Sequence, residues 1–225
     1  MAKSWAWSYS KLKNYITCPK RHYEVDIQRN YTDSSEQLVW GNEVHAELAK
    51  AANDPTVRLP DSMAEYQRWV DEARAAKANG AHVLVEQKYA ITKEFQPTSW
   101  FAHNAWYRGI ADIVMVMGNS LALARDYKTG KVQHDSVQLM LMSQCLFAHI
   151  PTLQRIKTEF IWLKDDCKTE DTFLRKDMFQ HWPAVLPKVA EMEKASNTLT
   201  YPPTPNRLCA RYCPVTSCPF HGKRH

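Results

Sequence analysis

Residues 107–131 read Tyr107-Arg108-Gly109-Ile110-Ala111-Asp112-Ile113-Val114-Met115-Val116-Met117-Gly118-Asn119-Ser120-Leu121-Ala122-Leu123-Ala124-Arg125-Asp126-Tyr127-Lys128-Thr129-Gly130-Lys131. Two strand-like runs, Tyr107–Met117 and Ser120–Tyr127, flank the turn-forming pair Gly118-Asn119, so the segment predicts a hairpin. An acid interrupts each run. Asp112 stands among Ile110, Ile113 and Val114, where an uncompensated carboxylate costs on the order of several kcal/mol unless a cation or hydrogen bonds offset it. Asp126 and Lys128 are two residues apart on a strand and project from the same face. Hard oxygen donors of this kind suit Mg²⁺ or Mn²⁺, which can activate water against a phosphodiester, while a neighbouring lysine orients that water and offsets transition-state charge. Spacing alone leaves a plainer reading open, in which Asp126 and Lys128 form a surface ion pair and Asp112 caps a turn.

Outward from this hairpin the periodicity alternates between strand and helix. His82 to Thr92 predicts a strand before it. After it come a helix over Asp135 to His149, a strand over Arg155 to Leu163 and a helix over about Lys176 to Ser196. Towards the N-terminus, Ser62 to Asn79 predicts a helix stopped by Gly80. Another helix follows Asp33-Ser34-Ser35 and runs to Ala52, with Leu38, Val44, Leu48 and Ala52 as its apolar stripe and His45 beside it. Ser8 is a suitable N-cap for a helix over Tyr9–Thr17, which Cys18-Pro19 ends. From Tyr201 onward, prolines and cysteines predict an irregular tail held by something other than a core.

The chain's 225 residues are 44% hydrophobic, enough for one sizeable core, and carry a net charge of +5 that suits a polyanionic partner without requiring one. A single domain is expected, with a helical part over 1–80, a catalytic core over 81–200 and a cysteine-rich tail over 201–225. Met1 to Ser10 has no continuous apolar stretch of the kind a secretory signal needs, and Ile110 to Met117 is far short of the roughly 20 apolar residues of a spanning helix. A soluble, cytoplasmic protein of a bacterial cell or a phage-infected host is therefore expected, with no membrane contact. Six cysteines in such a chain read as reduced thiols or metal ligands. Cys145 and Cys167 stand alone, whereas Cys209, Cys213 and Cys218 cluster in the tail, where His221 could complete a tetrahedral zinc site.

Several further motifs occur in a fixed order. Ser8-Tyr9-Ser10-Lys11-Leu12, Tyr15 and Cys18-Pro19 to Tyr23 come first. Gly41-Asn42-Glu43-Val44-His45, Glu86, Gly109-Ile110-Ala111-Asp112, Asp126-Tyr127-Lys128-Thr129-Gly130-Lys131 and Gln138-Leu139 follow. This succession resembles the RecB-like branch of the PD-(D/E)xK nuclease superfamily, which includes AddB-type and CRISPR-associated exonucleases. Relatives carry a tyrosine where this chain has Met142. The resemblance implies a restriction-endonuclease-like fold, a mixed α/β sheet flanked by helices, with a helical N-terminal segment and a metal-clipped tail. It implies Mg²⁺ or Mn²⁺ bound by His45, Asp112, Asp126 and the Tyr127 carbonyl, with Asp112, Asp126 and Lys128 catalytic, Gln138 positioning Lys128 or a phosphate, and Glu86 in support. It further implies a [4Fe-4S] cluster on Cys18, Cys209, Cys213 and Cys218, although the spacing of the first two tail cysteines departs from the family's usual form.

DNA, single strands included, is the expected substrate, and a divalent-metal deoxyribonuclease acting from ends in recombination or repair is the expected activity. Trp100, Trp106 and Tyr107 are candidates for stacking on unpaired bases. Two alternatives stand beside this expectation. One is a catalytically degenerate module that binds DNA or a helicase partner; the other is a metal-binding scaffold with no nucleic-acid role.

Overall fold

The protein is described here from a computed structural model covering residues 5–32, 35–133 and 136–225; residues 1–4, Asp33, Ser34 and Asp135, which figure in the N-terminal and helix-start expectations, lie outside the described residues. In chain order the elements are α1 (Tyr9–Thr17), α2 (Pro19–His22), a π-helical turn (Tyr23–Ile27), α3 (Glu36–Asn53), a 3-10 stretch (Asp61–Tyr66) and α4 (Gln67–Ala78). There follow β1 (His82–Ile91), β2 (Pro97–Thr98), β3 (Tyr107–Met117), β4 (Leu121–Lys128), α5 (Val137–His149), β5 (Arg155–Trp162) and β6 (Cys167–Leu174). The chain closes with a 3-10 stretch (Arg175–Ala184), α6 (Leu186–Thr198) and a short 3-10 turn (Arg207–Ala210). The chain gathers into two compact units, one built on Glu36–His181 and the other combining Trp7–Ser35 with Trp182–His225.

The first unit holds a six-stranded sheet in the order β2-β1-β3-β4-β5-β6. Its neighbours are antiparallel except β4 and β5, whose parallel pairing requires a crossover, and α5 is that crossover. This is the mixed α/β sheet with flanking helices that the sequence predicts. Val44, Leu48 and Ala51 of α3 and Trp69, Val70 and Ala73 of α4 pack with Ile113, Met115, Tyr127 and Ile161 of the sheet. Every residue of α5 from Leu139 to Phe147 is buried, as befits a helix apolar all round. Two arginines donate to carbonyls at and just beyond helix C-termini. Arg74 Nη2 donates to Ala51, Asp54 and Val57 at 2.7, 2.9 and 2.6 Å, and Arg175 Nη2 to Phe147 and Ile150, both at 2.8 Å.

Four local expectations change. Leu38 is exposed, and Ala51 rather than Ala52 completes the buried stripe of α3. The helix expected over Ser62–Asn79 begins as a 3-10 stretch and becomes α-helical at Gln67. The helix expected over Lys176–Ser196 is 3-10 as far as Ala184, with Pro183 inside that stretch, and α-helical only from Leu186. The strand β6 was not anticipated: Cys167-Lys168-Thr169-Glu170-Asp171 is too charged to look like a strand, yet it forms the sheet edge, where charge is tolerated.

In the second unit Ser8 caps α1, its hydroxyl accepting from Lys11 N at 3.4 Å, and extended Cys18 ends it. Buried His22 pairs through Nδ1 with Asp26 at 2.8 Å, and Asn14 donates to the same carboxylate at 3.0 Å. The Tyr15 hydroxyl donates to the Glu191 carbonyl of α6 at 3.2 Å.

Candidate active site

The ladder between β3 and β4 runs from Met117↔Leu121 to Ile113↔Arg125 and stops there. The next residue on β3 is Asp112 and the next on β4 is Asp126, so the strands part at the two acids. On the other side of β3, the ladder with β1 passes Val85↔Ile113 and resumes at Gln87↔Ala111, leaving Glu86 opposite Asp112 but out of the ladder, at φ 50°. That left-handed conformation is costly for a residue with a side chain, by roughly 1–3 kcal/mol, and such strain collects at functional sites. The parting gives the Asp112 carboxylate room between the strands. Its Oδ2 accepts the Tyr127 backbone N–H at 2.7 Å and lies 3.2 Å from His45 Nδ1 on α3. Donor atoms of His45, Glu86 and Asp112 all lie within 4.8 Å of one another.

Next to this trio is a second one. Lys128 Nζ lies 2.5 Å from Asp126 Oδ2 and donates to Gln138 Oε1 at 2.8 Å, while Gln138 Nε2 donates to Asp126 Oδ1 at 2.5 Å. The glutamine at the start of α5 thus braces carboxylate and ammonium together. The Lys128 ammonium also lies 4.8 Å from the centre of the Phe160 ring, an additional cation–π restraint.

The electrostatics suit a bound divalent cation. Asp112 and Asp126 are 7% and 4% exposed, far below the norm for carboxylates. Burial pushes the Asp126 carboxyl up to about 6 against the pull of Lys128. Burial and then the Asp112 charge raise the Glu86 carboxyl. Burial pulls the His45 imidazole down, but the hydrogen bond and charge of Asp112 outweigh it and leave the pKa above the ordinary histidine value. An Asp112 charge that raises both Glu86 and Asp126 beside an imidazole is what a divalent ion would relieve, and the donor set of nitrogen and carboxylate oxygens suits Mg²⁺ or Mn²⁺.

A family model for the PD-(D/E)XK nuclease superfamily matches residues 6–219. The chain belongs to the PD-(D/E)XK nuclease superfamily. Membership implies a divalent-metal-dependent nuclease. Among solved structures, one described as the crystal structure of SSO0001 is similar at a TM-score of 0.44 and 11% identity, covering 95% of this chain and 86% of that one. No curated protein matches.

Within this PD-(D/E)XK chain the structure brings His45, Glu86 and Asp112 into one trio and Asp126, Lys128 and Gln138 into the other. Among the described residues Asp126 is not in the first group, its carboxylate being engaged by Lys128 and Gln138. Glu86, which the sequence offers only as support, stands in that group as fully as His45. Its sequence signal is an acid directly after Val85 in the strand-like run before the hairpin, in its place in the motif order. Gly41 also acquires a reason: a Cβ there would lie 3.1 Å from Thr129 Oγ1, so the glycine lets α3 approach the end of β4 and brings His45 within reach. Tyr127 is 2% exposed in the core while its amide holds Asp112, and Met142 is buried in α5.

Of the three aromatics considered for stacking, Trp106 and Tyr107 are buried, and Trp100 is partly exposed. Cys145 is sealed in the core, which raises its thiol pKa, and Cys167 is exposed at the sheet edge. In the second unit Cys18, Cys209, Cys213 and Cys218 line one cavity together with Arg21, Leu208 and Phe220. Two of their sulfurs accept backbone N–H groups, Cys18 Sγ from Thr204 at 3.3 Å and Cys209 Sγ from Asn206 at 3.4 Å. Among the described residues no set of three from these cysteines and His221 closes to the single-ion spacing that His45, Glu86 and Asp112 show. Neither the zinc site nor the iron-sulfur cluster expected from the sequence is shown by this arrangement.

Proposed function

We propose that this chain is a metal-dependent DNA exonuclease of the RecB-like branch, serving recombination, repair or the processing of ends. The observation that carries the reading is the juxtaposition, at one parting of β3 and β4, of the His45–Glu86–Asp112 donor set with the braced Asp126–Lys128–Gln138 set. His45, Asp112 and Glu86, joined by Asp126 and the Tyr127 carbonyl, would hold Mg²⁺ or Mn²⁺. A bound divalent ion supplies Lewis acidity to the scissile phosphodiester and lowers the pKa of water. The chain's own residues supply the rest. The Lys128 ammonium offsets charge building on the phosphate, and Asp126 and Gln138 fix it in place so that no reorganisation is needed during reaction. Asp112 and His45 set each other's orientation, and the Tyr127 amide keeps Asp112 aimed between the strands. We read both compact units as parts of one nuclease domain, since the family match spans them.

The four cysteines around a common cavity support a [4Fe-4S] cluster, whose thiolates attach to four different irons and stand farther apart than the ligands of a single ion. Basic Lys20 and Arg21 beside them suit a cluster of net negative charge. Its role would be to clip the proline-rich tail to the end of α1.

The test is cleavage of end-labelled linear and covalently closed circular DNA with Mg²⁺ or Mn²⁺, using anaerobically purified protein beside Asp126→Ala. Metal-dependent loss of linear DNA alone, absent in the variant, is expected. Cutting of circles would replace the exonuclease by an endonuclease, and intact DNA with retained binding would favour the degenerate binding module.

A further inference from the structure

Beyond the catalytic cluster, the turn between β2 and β3 presents an aromatic and basic patch that the chemistry above does not use. Phe101 is 87% exposed and Ile110 42% exposed. The Trp100 ring lies near two cations, with Lys88 Nζ 5.9 Å and Arg108 Cζ 5.8 Å from its centre. Lys88 is the cross-strand partner of Ile110, and Arg108 precedes Ile110 by two residues, so the three share one face of the β1–β3 ladder. The turn is braced from within: Ala102 N donates to the Ser99 carbonyl at 3.1 Å, Thr98 Oγ1 to Asn104 Oδ1 at 2.9 Å, and Trp106 N to the Ile91 carbonyl at 2.9 Å. The aromatic rings are thus held out on a fixed base.

We propose that Trp100, Phe101, Lys88 and Arg108 form the docking platform for an unpaired DNA strand leading into the site, with bases stacked on the rings and phosphates on the two cations. The proposal rests on the nuclease reading and deepens it by naming the form of DNA. Along β3, Ile110 and Arg108 lie two and four residues from Asp112, about 7 and 13 Å at the usual rise, which a few nucleotides of one strand can bridge. Positive charge matches the backbone, and exposed ring faces match a base only when that base is free of a duplex, whose stacking hides its own faces.

The test measures DNA binding by the full chain without divalent metal, so that nothing is cut, using an oligothymidylate and a blunt duplex of equal length. Phe101→Ala is expected to weaken single-strand binding about tenfold, the loss of one stacked base, and duplex binding less than twofold. The double variant Lys88→Gln/Arg108→Gln is expected to flatten the salt dependence for the single strand by about 1.4 in log–log slope. Because the Phe101 side chain is in solvent, its removal leaves the fold intact. Single-strand binding by Phe101→Ala within twofold of wild type, or equal weakening of both DNA forms, overturns the platform while cleavage by the wild type still supports the nuclease. Wild-type protein that shows the expected binding pattern but cuts nothing with Mn²⁺ overturns the nuclease reading alone.

Discussion

Asp112 takes part in three relationships at once: it accepts the Tyr127 amide, pairs with His45 and lies within ligand distance of Glu86. Asp126 by contrast is tied to Lys128 and Gln138. Losses should divide along these lines. Lys128→Gln is expected to lower kcat by about 10²–10³-fold, the usual effect of removing one preorganised group that meets developing charge, while DNA affinity stays within about twofold. Gln138→Ala should cost less, about tenfold in kcat, because the ion pair it braces remains. A comparable drop in affinity for either variant would show that the group acts in binding rather than in the chemical step. Asp112, Asp126 and Lys128 were legible in the sequence because acids inside apolar strands are conspicuous. Glu86 was legible only as support, because its place beside His45 and Asp112 depends on a backbone conformation that residue type does not announce.

That conformation belongs to the scale of strands. Glu86 sits at φ 50° inside β1, opposite the point where β3 and β4 part. Glu86→Gly should relieve both the left-handed strain and the repulsion from Asp112, raising unfolding stability by about 1 kcal/mol in urea melts while activity falls. A variant that loses both would show that Glu86 is structural. The neighbouring Arg125 of β4 is a second such case. It is held by Glu159 of β5 at 2.8 Å and Glu72 of α4 at 2.6 Å, and its guanidinium lies 5.3 Å from the centre of the Trp69 ring. Burial alone would raise the Glu159 carboxyl, but Arg125 and Lys168 outweigh it and hold the pKa below the ordinary value. Its contribution is therefore complete above the unfolded value of about 4.3 and lost as pH falls through the lower folded value. Glu159→Gln leaves the buried Arg125 with Glu72 as its remaining charge partner and should destabilise by about 2 kcal/mol at neutral pH, with the gap closing only below about pH 4.3. None of these partners could be paired from sequence, since Glu72, Arg125 and Glu159 lie far apart along the chain.

Across the whole molecule, the second unit draws Trp7–Ser35 and Trp182–His225 together from opposite ends of the chain. If a cluster on Cys18, Cys209, Cys213 and Cys218 clips the tail, anaerobically prepared protein should carry about four irons per chain. Cys218→Ala should then expose residues 201–225 to earlier proteolysis. An unchanged digestion pattern with iron absent from the wild type would remove the cluster from the account. Among the described residues no helix is long and apolar enough to cross a membrane. By itself the sequence determined the order of helices and strands, the hairpin carrying the two acids, and the cysteines available for a common site, because periodicity, turn residues and buried charge are local signals. The tertiary structure alone decided that β3 and β4 part at those acids, that Glu86 stands with His45 and Asp112 as one donor set, and that Cys167–Leu174 closes the sheet edge. Each of those outcomes depends on strand register and on which residues meet across long stretches of chain, and packing, not local preference, sets both.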